Sequence, residues 1–557
     1  MTFRARSGRA TRRIALAAAF AIAAGPLLAG PETLQFDRAA ALIAGELHRG
    51  RSGGDDAIVE FYRGRDFAPI WTAGDGPARE RLRVLHGLAA GVAMHGLPAD
   101  RFDPLTLRDI LAGARDPRSR AAAEVAITDF YLALAAALSS GVVNPREIDE
   151  AMKRTVNVRG SAELLDLITS PHPAVAVRGI APTSVEYAVL LREKRRLELT
   201  AGSADRTGSV LSRTLRPGDA GPDVATLRER LTQAGLLGPH LAATYDAEME
   251  RAVRAFQTEA GLDADGIAGA DTLAALSVSV EDRLAAVTVA MERERWVGDP
   301  RDEGRVIVVN LAEFSAKVFD DGREVFQTRA VVGAVEDGKP TPEFSDEMTH
   351  MVVNPSWYVP PGIIRRDYLP KLQANPYALS EYEITDRNGR PANRAAGFRQ
   401  FTASSFPFSI RQEPGPDNAL GRVKFMFPNP WSIYLHDTPA RSLFDRDQRA
   451  YSSGCVRLAD PVGFAHLLLA AQEADPEGAF GSVLATGRER RIDLDRPIPI
   501  HLLYRTAFGD AKGRVRYRSD IYGRDGKVRS ALEHAGVALV PLRLADRDAL
   551  AGKRDAG

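Results

Sequence analysis

The hydrophobic repeat changes along this chain, and the change excludes one uniform fold. Before about residue 300 apolar residues recur every three or four positions. In EVAITDFYLALAAALSSG, Val125, Ile127, Phe130, Leu134 and Leu138 fall near one another on a helix that Gly141 would stop. Farther on, GRVIVVNL, SAKVFD and REVFQTRAVVG are β-branched runs, and Asp321-Gly322 between the last two is a hairpin-turn signal. A period of 3.6 does not serve a strand, nor a period of 2 a helix, so helical and β domains must follow one another. The 557 residues also exceed what one core supports.

From 34 to 200 the Ala/Leu-rich helical pattern carries no evident chemistry and reads as a scaffold, followed by a small-residue linker, TAGSADRTGS, at 200 to 209. Residues 215–277 form a compact unit. Val224, Leu227 and Leu231 make one helical stripe there, Met249, Val253 and Phe256 another, and Gly235 and Gly261 stand where C-terminal caps belong. The run DADG in this unit hints at a calcium loop, but its glycine is fourth and no glutamate is twelfth, which excludes an EF-hand. A connecting helix is expected over 280–300, a mainly-β domain over 303–508 and a C-terminal extension over 509–557. Within the β domain, residues 354–420 hold many prolines and aromatics without sustained strand alternation, as a capping lid or binding loop would.

Arg4, Arg6, Arg9, Arg12 and Arg13 precede the uncharged IALAAAFAIAAGPLLAG, so residues 1–30 read as an export signal, cleaved or kept as an inner-membrane anchor. TRRIAL faintly matches a twin-arginine signal. Export puts the rest in an oxidising compartment, where cysteines usually pair, yet the chain has one cysteine, Cys455. The balance of 73 Lys plus Arg with 73 Asp plus Glu argues against a nucleic-acid partner. No His-rich or Cys-rich cluster calls for a metal or other cofactor.

The lone thiol lies in AYSSGCVRLAD, between a glycine and an Arg-bearing apolar run. Upstream, PWSIYLHDTPA alternates as a strand, with Trp431, Ile433 and Leu435 on one side and Ser432, Tyr434 and His436 on the other. A thiol attacks a carbonyl as thiolate, and an imidazole can take its proton and later protonate the leaving amine. Gly454 before the thiol lets the backbone approach a substrate and aim N–H groups at an oxyanion. Arg457, two residues on, faces the same side as Cys455 and could hold a carboxylate. The residues alone also allow blander readings: a small buried hydrophobe for Cys455, a structural hydrogen-bonder for His436, and a surface ion pair for Arg457.

LHDTP followed by SSGCVRL resembles the signature of L,D-transpeptidases with a YkuD-type domain, and the 19 positions from His436 to Cys455 fit it. The unit at 215–277, with RPGD, AVRAFQ and DGIAG in order, resembles the peptidoglycan-binding module of cell-wall enzymes. Together with the helical N-terminal region these resemble the large YcbB-like subgroup. The resemblance implies a multidomain α+β fold, with a helical scaffold, a three-helix wall-binding module and a mainly-β catalytic domain bearing a capping insertion. It implies Cys455 as nucleophile, His436 as general base and acid, the Asp437 carbonyl as its orienter, and the N–H groups of Gly454 and Cys455 as oxyanion donors. Arg457, Tyr434, Ser453, Thr438 and Trp357 would contact substrate. Ser453 stands where many relatives carry histidine, and Asp437 where glycine is frequent. The implied activity is periplasmic cross-linking of peptidoglycan stem peptides through a cysteine thioester, open to carbapenem inhibition. The alternatives are an L,D-carboxypeptidase or cross-link hydrolase using the same pair, or a non-catalytic wall-binding structural protein.

Overall fold

The computed structural model describes residues 31–50, 56–201, 213–238, 243–298, 300–336, 338–510 and 512–539. The expected export signal, 1–30, and linker residues 202–209 lie outside the described residues.

The N-terminal helices wrap around Pro117–Ser140, whose start is capped by the Asp116 carboxylate on the Arg118 and Ser119 N–H groups and whose C-cap is Gly141. This helix is long and apolar enough to cross a membrane, but here it is a core helix, with Ile127, Tyr131, Leu134 and Leu138 each at most 2% exposed. Val125 and Phe130 lie half-buried at the edge of that core. Its Glu124 is fully buried yet satisfied, accepting from the N–H groups of Ile70 (2.6 Å) and Thr72 (2.8 Å) and from the Tyr62 hydroxyl (2.9 Å).

Helices Pro222–Gln233, Ala247–Ala260 and Ala270–Leu276 form the small unit, and both apolar stripes meet in its core with Leu215 and Tyr245. The second helix ends at Gly261 in the left-handed region (φ 76°), where a Cβ would lie 2.9 Å from Arg518 Nε. Arg518 also donates to the Glu259 carbonyl at 2.6 Å, so a cation from the far C-terminal part of the chain sits on the negative end of this helix.

Helix Val280–Val297 does more than connect. It buries residues on nearly every side, and Arg293 pairs with Glu343 (2.8 Å) and Asp525 (2.7 Å). The stretch beyond 508 is likewise no loose extension. Strands β13 (Ala507–Gly509) and β14 (Val515–Tyr517) form a hairpin, and helix Arg524–His534 packs Val528 and Leu532 against Ala285, Val289 and Trp296. The apolar spacing of this helix is short and interrupted by charge, so its partner was not evident from the sequence pattern.

The β domain contains β1 (Val306–Asn310), β2 (Ser315–Asp320), β3 (Arg323–Gly333), β4 (Phe344–Val353), β8 (Val423–Met426), β9 (Leu435–His436), β10 (Ala450–Ser452), β11 (Val456–Leu458) and β12 (Arg490–Leu503). Their order is β10-β3-β11-β9-β8-β4-β12-β1-β2, and β2 also pairs with β3, so the sheet closes on itself. Asp321 and Gly322, with φ of 46° and 77°, make the tight β2–β3 turn. The core includes Leu435, Val456, Leu458 and Phe425, all fully buried.

The insertion at 354–420 is more ordered than its composition suggested. Strands β5 (Trp357–Tyr358), β6 (Tyr382–Thr385) and β7 (Ser409–Gln412) make a sheet in the order β5-β7-β6, over a separate core containing Ile364, Leu372, Phe398 and Ile410. Phe398, Phe401, Phe406 and Phe408 pack edge-on or tilted with centroids 5.4–6.5 Å apart. These aromatics supply a core of their own, which short strands without long alternation do not advertise.

Candidate active site

The expected strand before His436 is mostly absent. Ser432 has φ 57°, which breaks the alternation, and Trp431 is exposed while Ile433 is buried, so these two do not share a face as anticipated. The Asn429 side chain holds this irregular segment, accepting from Trp431 and Ile433 N–H (each 3.1 Å) and donating to the Phe427 and Ile433 carbonyls. Only Leu435–His436 joins the sheet.

That short strand is enough to set the site. β9 lies parallel to β11 with Leu435 opposite Val456 and His436 opposite Arg457, and antiparallel to β8 with Lys424 opposite His436. Leu435, Val456 and Phe425 go into the core, so His436, Arg457 and Lys424 share the other face. Cys455 immediately precedes β11, beside Tyr434, and its thiol donates to the Ser432 carbonyl at 3.6 Å. Tyr434 adjoins both the Cys455 thiol and the Trp357 side chain, and its ring lies 5.6 Å from that of His436. Trp357 belongs to the insertion and packs against its Tyr368 and Tyr382 at 6.2 Å each, so the insertion core reaches the neighbourhood of Tyr434.

His436 Nδ1 lies 2.5 Å from the Asp437 carbonyl oxygen. A carbonyl only accepts, so Nδ1 carries the proton and Nε2 keeps the lone pair. The Asp437 side chain is itself fixed, accepting from Arg422 Nε (3.1 Å), Arg422 N–H (3.0 Å) and Thr438 N–H (2.8 Å). Gly421 leaves the room it needs, because a Cβ there would fall 2.4 Å from the carboxylate carbon. Burial, reinforced by the Arg457 charge, pushes the His436 imidazole down to about 3, and burial pushes the Cys455 thiol up to about 11. The free protein therefore holds a neutral thiol and a neutral imidazole.

The turn before the thiol differs from expectation. Gly454, at φ 117°, donates its N–H to Ser452 Oγ at 3.1 Å and so does not offer it to an oxyanion, whereas the Cys455 N–H makes no main-chain hydrogen bond among the described residues. Thr341, fully buried and unremarked in the sequence, donates Oγ1–H to the Gly454 carbonyl at 2.7 Å and accepts the Gly333 N–H at 2.9 Å. Its carbonyl accepts from Arg524 at 2.7 Å. Thr438 is also reassigned: it is buried, and its Oγ1 accepts the Ala440 N–H at 3.2 Å, stabilising the turn after His436. Ser453 is exposed at the rim, and Arg457 Nε is buried without a hydrogen-bond partner. A GKPTPEF run alone gives no sign that its threonine reaches the cysteine turn; proline-flanked threonine in a loop facing β3 is the only hint.

A cavity of about 1240 Å³ lies elsewhere, between the three-helix unit, the β13–β14 hairpin and the β2–β3 edge, and neither Cys455 nor His436 lines it. Beside Trp357 the fold instead places the Cys455 thiol near Arg457, which stands in register with the fixed His436 imidazole. Such a set can form and resolve a thioester.

Residues 304–476 match the L,D-transpeptidase catalytic domain family, YkuD, residues 220–276 match "Putative peptidoglycan binding domain", and residues 56–193 match a scaffold domain family. Two segments of the chain are thus similar to a YkuD-type L,D-transpeptidase catalytic domain and to a peptidoglycan-binding domain. A Haemophilus influenzae protein named "Putative L,D-transpeptidase" is 36% identical over 228 residues, which are 40% of this chain and 45% of that relative, so less than half of its length is matched. Among solved structures, an L,D-transpeptidase from Xylanimonas cellulosilytica is 16% identical with a TM-score of 0.16, over 53% of this chain and 98% of that one. One from Stackebrandtia nassauensis is 14% identical with a TM-score of 0.22, over 53% and 97%.

Proposed function

We propose that this protein is a peptidoglycan L,D-transpeptidase acting through Cys455, exported to the periplasm by residues 1–30. The observations that support the reading are His436 and Arg457 in register on one sheet face, Cys455 directly before β11 with the Arg457 charge reaching its thiol, and the Asp437 carbonyl fixing the imidazole tautomer. On binding a tetrapeptide stem, the thiol proton passes to His436 Nε2 while sulfur bonds to the L-centre carbonyl carbon of the third residue. The Cys455 N–H, which the turn leaves without a main-chain partner, faces the developing oxyanion. Collapse breaks the C–N bond, and His436 returns the proton to the departing D-alanine amine. The side-chain amine of a second stem's third residue then loses a proton to His436, attacks the thioester and expels the thiol. Arg457 would hold a substrate carboxylate, Trp357 and Tyr434 would line the groove beneath the insertion, and the module at 220–276 would keep the enzyme on its polymer.

The test is purified full-length protein with a disaccharide-tetrapeptide, products read by mass spectrometry. A dimer lacking one alanine supports transpeptidation. A monomeric tripeptide would make the protein an L,D-carboxypeptidase, trimming of preformed dimers a hydrolase, and unreacted substrate a wall-binding protein.

A further inference from the structure

The row of residues across β8, β9 and β11 contains a group that the thioester chemistry does not use. Lys424, His436 and Arg457 stand in register on neighbouring strands, with Lys424 opposite one side of His436 and Arg457 opposite the other. Phe425, Leu435 and Val456, one position along, are fully buried in the core, which fixes the row on the groove face. Two cations therefore flank the imidazole. Both are half-buried, and neither forms an ion pair or a side-chain hydrogen bond among the described residues. Their effect reaches the imidazole, since both charges disfavour its protonation. The carboxylate whose charge Lys424 feels is Glu489, and it is committed to the Ser356 N–H at 2.8 Å, outside ion-pair distance of the lysine. Farther along the same row stand Val352, opposite Lys424, and Arg491, opposite Val352, so no acid completes it from that side; Arg491 is already paired with Asp493.

Leaving one cation half-buried and unpaired is unfavourable, and two beside the same imidazole are more so. The arrangement is stable when an anionic ligand supplies the missing charges. Two strand spacings separate Lys424 from Arg457, which is roughly 10 Å between their backbones. We propose that Lys424 is a specificity-determining residue that binds a second substrate carboxylate, so that the groove selects a peptide donor carrying two carboxylates on opposite sides of the scissile carbonyl. This rests on the donor reading above and names its substrate class: Arg457 takes the terminal carboxylate of the departing residue, and Lys424 takes a carboxylate on the side chain of the third residue. A third residue of diamino-dicarboxylate type has that group, whereas a plain lysine has not.

The test uses the full chain and two synthetic disaccharide-tetrapeptide donors, identical except that the side-chain carboxylate of the third residue is free in one and amidated in the other. Cys455 acylation is followed by intact-protein mass spectrometry over a concentration series, with a carbapenem as a second acylating probe. Wild type should need roughly tenfold more of the amidated donor for half-saturation, the scale of one charge-assisted hydrogen bond. Lys424→Gln should raise the half-saturating concentration of the free-acid donor by a similar factor and erase the difference between donors, while Lys424→Arg should keep the preference. The proposal is overturned if wild type treats both donors alike, or if Lys424→Gln weakens both equally, the signature of a purely structural lysine. It is also overturned if Lys424→Gln loses acylation by the carbapenem along with both donors. If wild type is acylated by the carbapenem and by neither donor, the donor reading itself falls and this assignment falls with it.

Discussion

Thr341→Val removes one hydroxyl and keeps the shape of a buried side chain. Thr341 is 0% exposed and bridges two main-chain groups, receiving the Gly333 N–H at 2.9 Å and donating to the Gly454 carbonyl at 2.7 Å. Valine leaves both unpaired. Gly333 cannot drift to a new partner freely, because a Cβ built on it would already fall 2.1 Å from the Lys339 carbonyl oxygen, so that backbone is closely packed. Each orphaned buried group costs about 1–3 kcal/mol, so partial relaxation leaves a loss on the order of 2–3 kcal/mol. Gly454 is at φ 117° and precedes Cys455, so the loss falls on the turn that positions the thiol. If the whole loss loosens that turn, the productive conformer falls by about 30-fold or more, since about 1.4 kcal/mol is tenfold. The expected outcome is carbapenem acylation of Cys455 slowed by roughly 10- to 100-fold by intact-protein mass spectrometry, with Thr341→Ser recovering most of the rate. Circular dichroism and denaturant melts run alongside separate a local effect from unfolding. Wild-type acylation by Thr341→Val would refute the reasoning; so would Thr341→Ser failing as badly, since the methyl packing would then be what matters.

Other expectations are as direct. Cys455→Ala should abolish acylation and turnover with the fold intact, and Cys455→Ser should be nearly as poor because a hydroxyl ionises far less readily than a thiol; peptide mapping of a carbapenem adduct to another residue would count against both. His436 resists protonation in the fold down to about 3 against an ordinary 6.5, so the unfolded chain binds the extra proton as pH falls below 6.5 and stability is lost toward 3. At pH 5 that loss is about 2 kcal/mol, and His436→Gln should lack it when denaturant unfolding is compared at pH 7 and pH 5; equal acid sensitivity of the two proteins would contradict the buried neutral imidazole. The same variant should slow Cys455 acylation roughly 10²–10⁴-fold near neutrality, with partial recovery at high pH. Deleting residues 220–276 should weaken sedimentation with insoluble sacculi while small muropeptides still acylate the enzyme, and unaltered sedimentation would remove the module from wall binding.

The sequence by itself determined the kinds of element, because side-chain period and turn chemistry are local. The 3.6-residue stripes of Val224, Leu227 and Leu231 and of Met249, Val253 and Phe256 and the Asp321-Gly322 turn all act over a few residues, and each is found where its pattern lies. It also brought His436, Asp437, Cys455 and Arg457 to notice through residue type and spacing. What it left undecided was which groups meet across long separations. Ser432 breaks the strand that alternation suggested, the Gly454 N–H turns to Ser452, and Thr341, 114 positions from Cys455, holds the turn before the thiol. The phenylalanines of the insertion condense into a core only when brought together by its three strands. The Lys424–His436–Arg457 row exists only because β8, β9 and β11 take one register in a closed sheet. That register is set by which apolar side chains fill the common core, Phe425, Leu435 and Val456 together, and a slip of one residue would turn the whole row inward.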